Sequence, residues 1–184
     1  MKSNNSLDTT IERLVELMDL EVIEENIFRG ESQDIGSPQV FGGQVLGQAL
    51  MAATRTIEGR SVHSLHAYFL RRGDFEAPIV YEVDRARDGG SFSNRRIIAV
   101  QHGEQIFNMT ASFQKPEEGL EHQSKMPEVQ GPDELEDLVD LIKPEWVEQL
   151  PARIKRMLTR ERPFEVKPVE TPHFLTNKTT EPIK

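Results

Sequence analysis

The stretch QVFGGQVLGQAL, residues 39–50, opens a helix that has almost no polar side. From Gly43 to about Ile57, the residues Val45, Leu46, Ala49, Leu50, Ala52 and Ala53 spread over most of the circumference, with Gln44 and Gln48 as the polar exceptions among them. A helix apolar nearly all round has no face to give to water, so the rest of the chain has to enclose it. Gly47, Ala49, Ala52 and Ala53 are small enough to let an enclosing surface come close. Arg55, Glu58 and Gly59 mark its exit into solvent.

The next sixty residues supply the enclosure. Their hydrophobic period changes to two, the mark of strands. SVHSLHAYFL, PIVYEVDRAR, SFSNRRIIAVQ and QIFNMTASFQ form four runs separated by RRGD, DGG and HGE. In the last run Phe107, Met109, Ala111 and Phe113 point one way, while Asn108, Thr110 and Ser112 point the other. Short Gly-containing turns predict consecutive antiparallel strands. Ahead of the central helix, DTTIERLVELMDL predicts an amphipathic helix carrying Ile11, Leu14, Val15, Leu17 and Met18 on one side. Asp8 or Thr9 is its expected cap, with Glu12 reaching back. NIFRGES predicts a short strand and DIGSPQ a loop. The fold class is therefore α+β, a long central helix wrapped by a curled antiparallel sheet.

This domain is expected to occupy residues 1–115. Residues 116–160 read as a polar, Pro- and Gly-punctuated linker with a helical segment in pieces. One piece carries Leu135, Leu138, Val139 and Ile142, and the next Val147, Leu150, Ile154 and Met157, with Pro144 and Pro151 as interruptions. ERPFEVKPVE predicts a strand within residues 161–184, and the last fifteen residues hold too few apolar groups for a core of their own. There is no internal repeat.

Lys+Arg 22 against Asp+Glu 31 gives a formal charge of -9, which argues against a general attraction to nucleic acid or an anionic membrane. With no cysteine, disulfides, thiolate metal sites and a cysteine nucleophile are excluded. The first twenty residues lack the apolar core of a signal peptide and no run approaches membrane-spanning length, so cytoplasmic residence is expected.

Several groups are candidates for chemistry. His63 and His66 sit three apart on a strand, which places them on opposite faces and argues against a shared metal. His63 beside Ser64 is a weak catalytic candidate, against a structural hydrogen-bonding histidine. RDGGSFSNRR joins two strands rather than opening a helix, so a hairpin turn with Gly89 and Gly90 at positive φ is expected in place of a phosphate loop. Arg95 and Arg96 point to opposite faces, and with Arg71 and Arg72 they offer a small basic rim for a phosphorylated ligand, the alternative being ordinary surface arginines. At the amino end of the central helix, Gly42, Gly43 and Gln44 expose backbone donors suited to a developing oxyanion. The alternative there is that the glycines only let helix and sheet pack. A group to activate water is absent from this set.

In order along residues 14–170, NIFRGES, QVFGGQVLGQAL, VHSLHAYFLRRGD, RDGGSFSNRRIIAVQHG, IFNMTASFQKPEEGLEHQ and ERPFEVKPVE resemble the acyl-CoA thioesterase II family. The resemblance implies a hotdog fold, in enzymes built from two hotdog domains, and hydrolysis of fatty acyl-CoA to free acid and CoA without cofactor or metal. It also implies assembly into oligomers. The family's catalytic Asp, Thr or Ser, and Gln belong to the second hotdog, and no residue here matches those positions. Residues 161–184 are then the lead-in to a second hotdog domain that the sequence does not contain. The expected function is the non-catalytic N-terminal half of an acyl-CoA thioesterase, its acyl-CoA site completed by a second hotdog domain or chain. The alternative is a non-catalytic acyl-CoA-binding or assembly module that pairs with itself or another chain. A self-sufficient hydrolase or dehydratase would need Glu31, Asp34 or His63 as its base.

Overall fold

A computed structural model describes residues 4–34, 39–142, 147, 151, 152, 155, 158, 160–170 and 172, with only the backbone of residues 4–8. The elements are α1 (Asn4–Met18), β1 (Glu21–Glu24), β2 (Ile27–Gly30), α2 (Gly42–Thr54), β3 (Ser61–Phe69), β4 (Ile79–Asp88), β5 (Phe92–Gln101) and β6 (Glu104–Gln114). A short 3-10 turn follows at Pro132–Glu134. The chain forms two compact units, one of residues 11–119 and one of residues 1–10 with 120–184.

In the first unit all six strands join one antiparallel sheet in the order β1-β2-β4-β5-β6-β3. Period-two alternation decides which side faces α2. Ile79, Tyr81 and Val83 of β4, Ile97 and Ala99 of β5, and Phe107, Met109, Ala111 and Phe113 of β6 are buried against Val45, Ala49, Ala52 and Ala53 of the helix. Each fully buried Phe, Ile or Met contributes roughly 1.5–3 kcal/mol. The β5–β6 connection is a two-residue turn with both His102 (φ 52) and Gly103 (φ 77) left-handed, the geometry whose twist matches the flanking strands.

The polar pattern of α2 is inverted relative to the sequence reading. Gln44 and Gln48, the two apparent exceptions, are buried, whereas Leu46 and Leu50 are half-buried and Met51 is exposed. Gln48 is completely enclosed because its carboxamide is fully matched. Its Nε2 donates to Leu17 O at 2.7 Å and Glu31 O at 2.9 Å, and its Oε1 accepts from the Tyr81 hydroxyl at 2.7 Å. One side chain thus ties the end of α1, the segment after β2 and the sheet to the central helix.

Other expectations are corrected. Asp8 and Thr9 lie inside α1 rather than ahead of it, and Ile11 and Val15 face solvent while Leu14, Leu17 and Met18 are half-buried. The hairpin strand β1 has no counterpart in the sequence reading, because both of its faces are exposed and no alternation marks it. Gly89 and Gly90 are not at positive φ, so that hairpin does not depend on left-handed glycine.

In the second unit, residues 135–142 form turns instead of a helix, organised by Asp137. Its buried carboxylate accepts from Val139 N at 2.9 Å, Arg162 Nη2 at 2.8 Å and Val166 N at 3.4 Å, while Leu138 N donates to Val166 O at 2.7 Å. Residues 161–170 are bends and irregular chain rather than the expected strand. Of the second helical piece, Leu150, Ile154 and Met157 lie outside the described residues, as do Pro144 and nearly all of the last fifteen residues.

Candidate functional site

The amino end of α2 opens onto a cleft of about 390 Å³. Val40, Val45, Phe69, Leu70, Ile106 and Phe107 make it apolar, and Gly42, Arg71 and Arg72 also line it. Two glycines shape this end by letting rings approach. A Cβ on Gly42 would stand 3.0 Å from the Phe69 ring, and one on Gly43 only 2.4 Å from the Phe41 ring. That observation supports the packing reading of the glycine pair.

The donors at this end are fewer than the sequence suggests. Gln44 N already donates to Phe41 O at 3.0 Å, and Val45 N to the same oxygen at 3.3 Å. The Gln44 side chain accepts from Gln33 N at 3.2 Å and donates to Glu31 O at 3.1 Å, so it fixes the segment after β2 and cannot reach a ligand. The Gly42 and Gly43 amides precede these first helical bonds. Of the three, only Gly42 lines the cleft.

The arginine candidates separate. Arg95 is buried, and all five of its donors are matched: Nε to Thr56 Oγ1 at 2.7 Å, Nη1 to Arg87 O and Asn94 O, and Nη2 to Thr56 O and Asp88 Oδ1 at 2.8 Å. A guanidinium has no sixth N–H, so Arg95 cannot also hold a phosphorylated ligand. Its role is to clamp the residues after α2 to the β4–β5 turn. Arg96 is on the opposite, exposed face, paired with Asp84 at 2.8 Å, and does not line the cleft.

His63 is not at the cleft either. A bulge between Val62 and Ser64 shifts the register of β3 against β6. The His63 ring reaches Ser112 Oγ at 2.9 Å and packs edge-on to Phe92, while His66 lies opposite Thr110 and against Tyr68. Both histidines therefore meet groups of the outer sheet face, contrary to the opposite faces that simple alternation predicts. No cluster of metal-ligating side chains occurs among the described residues. Glu31 is exposed and paired with Arg29 at 2.7 Å, and neither it nor Asp34 lines the cleft.

What the arrangement can do is hold an apolar chain and orient a polar head at the helix end. Among the described residues, no carboxylate or imidazole lines the cleft. Beside it, β3 ends the sheet. Although it pairs along its length with β6, it is exposed nearly throughout, with Val62, Leu65, Tyr68 and Phe69 open to solvent.

Residues 29–114 match the family described as the acyl-CoA thioesterase N-terminal domain. The chain is 46% identical over 158 residues to acyl-CoA thioesterase 2 of Haemophilus influenzae, covering 85% of this chain and 55% of that protein. Among solved structures, acyl-CoA thioesterase II TesB2 from Mycobacterium marinum is 50% identical with a TM-score of 0.60, over 65% of this chain and 45% of that one. A protein with hot dog fold from Alicyclobacillus acidocaldarius shares the fold at 23% identity and a TM-score of 0.62, over 68% of this chain and 48% of that one. The chain spans about half the length of the curated relatives it matches. No helix among the described residues is long and apolar enough to cross a membrane.

Proposed function

From its membership of the acyl-CoA thioesterase II family as an N-terminal hotdog half, we propose that this chain supplies one wall of a site that hydrolyses fatty acyl-CoA, and that a second hotdog domain or chain supplies the group that activates water. The observation that carries this is the cleft itself: apolar lining, the Gly42 amide at the helix end, and no described carboxylate or imidazole among its lining. Thioester hydrolysis needs a polarised carbonyl and an activated water. The chain fits the first requirement and, at this cleft, not the second. The bare edge of β3 gives a second hotdog a place to continue the sheet, which supports assembly into a homo-oligomer or with a separate partner. Cytoplasmic residence is part of this proposal. No step of this reading calls for a cofactor or metal.

The test is thiol release from palmitoyl-CoA. The pure chain is expected to release almost none, and turnover is expected once a second hotdog chain of this family is supplied. Brisk turnover by the chain alone would overturn the reading. The exposed β3 edge also favours a second function, a non-hydrolysing acyl-CoA-binding or assembly module. Calorimetric titration with a non-hydrolysable acyl-CoA separates the two. Tight binding without any partner, and no turnover with one, supports the module.

A further inference from the structure

The β3–β4 crossover carries two adjacent arginines with different surroundings. Arg71 donates through Nη1 to Gln105 O at 2.6 Å and pairs through Nη2 with Glu104 at 3.0 Å. Arg72 is exposed, lines the cleft beside Leu70 and Gly73, and has no partner among the described residues. Two carboxylates of the neighbouring segments, Asp74 and Glu104, are engaged elsewhere. Asp74 accepts from Glu76 N at 2.9 Å and meets His102 Nε2 at 3.0 Å, and Glu104 holds Arg71. In a chain with 31 acids against 22 bases, a cation left without a carboxylate at an apolar cleft is a distinct local feature.

The backbone beneath Arg72 is fixed from several sides. Leu70 N and Arg71 N both donate to Ile106 O, at 2.9 and 3.1 Å, and Val40 N donates to Gly73 O at 3.0 Å. The buried side chain of Gln101 accepts from Asp74 N at 2.7 Å and donates to Asp74 O at 2.7 Å and Ala77 O at 2.8 Å. Gly73 admits Val40 and Ile106, whose atoms would lie 3.2 and 3.5 Å from a Cβ there. On so constrained a loop only the rotamers of the guanidinium itself are left for a ligand to order, which favours binding.

We propose that Arg72 receives a phosphate of the CoA moiety while the pantetheine arm, which separates that phosphate from the thioester, runs along Leu70, Val40 and Ile106 and the acyl group lies beyond it toward Val45, so that the cleft selects CoA thioesters over free acids. This rests on the reading of the cleft as the acyl site. A guanidinium matches phosphate oxygens in a bidentate fork, and the neighbouring apolar lining suits methylene groups. The chemistry that distinguishes the intended ligand is the combination of a phosphate and an aliphatic chain in one molecule.

The test is calorimetric titration of the full chain with the thioether analogue of decanoyl-CoA. Arg72→Gln is expected to weaken binding about tenfold and to flatten its salt dependence, with Arg72→Lys recovering part of the loss. S-decanoyl-pantetheine, which has no phosphate, is expected to bind the chain and Arg72→Gln alike. Equal weakening of decanoate and the CoA analogue by Arg72→Gln would make Arg72 an unselective anion contact and overturn the assignment, as would no weakening of either. Leu70→Asp changes an exposed residue of the cleft and is expected to abolish binding of both the CoA thioether and S-decanoyl-pantetheine. If Leu70→Asp abolishes binding while Arg72→Gln has no effect, only the Arg72 assignment fails. If Leu70→Asp leaves binding intact, or the unaltered chain does not bind, the cleft reading itself fails.

Discussion

The carboxamide of Gln48 occupies the space that a side chain on residue 30 would need: a Cβ on Gly30 would stand 2.7 Å from both Cδ and Oε1 of Gln48. The β2 glycine and the helix glutamine therefore specify each other. Gly30→Ala is expected to destabilise the chain by about 1–3 kcal/mol through overpacking. Gln48→Ala removes the acceptor of Tyr81 and the donor to Leu17 O and Glu31 O, at a cost of about 1–3 kcal/mol. Urea denaturation of the double variant should show less than the sum of the two losses, because the small residue at 48 leaves room for the methyl at 30. Strict additivity would disprove the steric coupling.

Burial pushes the Tyr81 hydroxyl well above its ordinary value of 10.0. The unfolded chain loses this proton near pH 10 while the folded chain retains it. Stability from this group is thus complete below pH 10 and declines above it, by about 1.4 kcal/mol per pH unit. Tyr81→Phe should cost about 1 kcal/mol at neutral pH, from the lost bond to Gln48. Between pH 9 and pH 11 the unaltered chain should lose roughly 1 kcal/mol more than Tyr81→Phe, measured by denaturant titration at both values. Parallel pH profiles would rule this out.

Arg95 offers a different test, since five acceptors converge on it. Arg95→Met leaves Thr56 O, Arg87 O and Asn94 O without this donor, and should cost about 2–3 kcal/mol, moderated by the half-exposed Asp88. Arg95→Lys keeps the charge but has three donors, so it should fall between the two. Neither variant is expected to change affinity for an acyl-CoA analogue beyond what lower stability explains. A specific loss of affinity at full folding would return Arg95 to the binding site.

Partial burial pushes the Asp137 carboxyl up, but the Val139 amide, the Arg162 guanidinium and the Val166 amide together hold it below its ordinary 3.8. The folded second unit accordingly gains stability above pH 3.8 that it loses as the pH falls through the lower folded value. Asp137→Asn should speed hydrogen exchange at the Val139 and Val166 amides about tenfold, equivalent to losing a bond of roughly 1.4 kcal/mol. Unchanged protection in the variant would show that Asp137 does not organise this segment.

What the sequence discloses about this fold follows from where burial is one-sided. β6 faces the helix with Phe107, Met109, Ala111 and Phe113 and carries a plain period of two, so the strand is legible. β1 is exposed on both faces and leaves no such trace. The glutamines of α2 misled for a related reason. Their partners (Leu17 O, Glu31 O and the Tyr81 hydroxyl for Gln48) come from distant segments, and no local pattern signals that a polar side chain will be satisfied inside. His63 changed face because of one extra residue in β3, which alternation cannot register. The identical logic covers Asp137, whose carboxylate replaced an expected helix with turns through contacts to Arg162 and Val166. At the site, the glycine pair was readable as a place of close approach, whereas Arg72 was distinguishable from Arg71 only once Glu104 was seen to claim the latter.

Under the proposed pairing of the open margin of β3 with a second hotdog, protein concentration would become a thermodynamic variable. Whatever strand docks along Val62 to Phe69 recognises an ordered backbone that the denatured chain does not offer. If such docking occurs, mass action would raise the melting temperature with the concentration of the partner or of the chain's own copies.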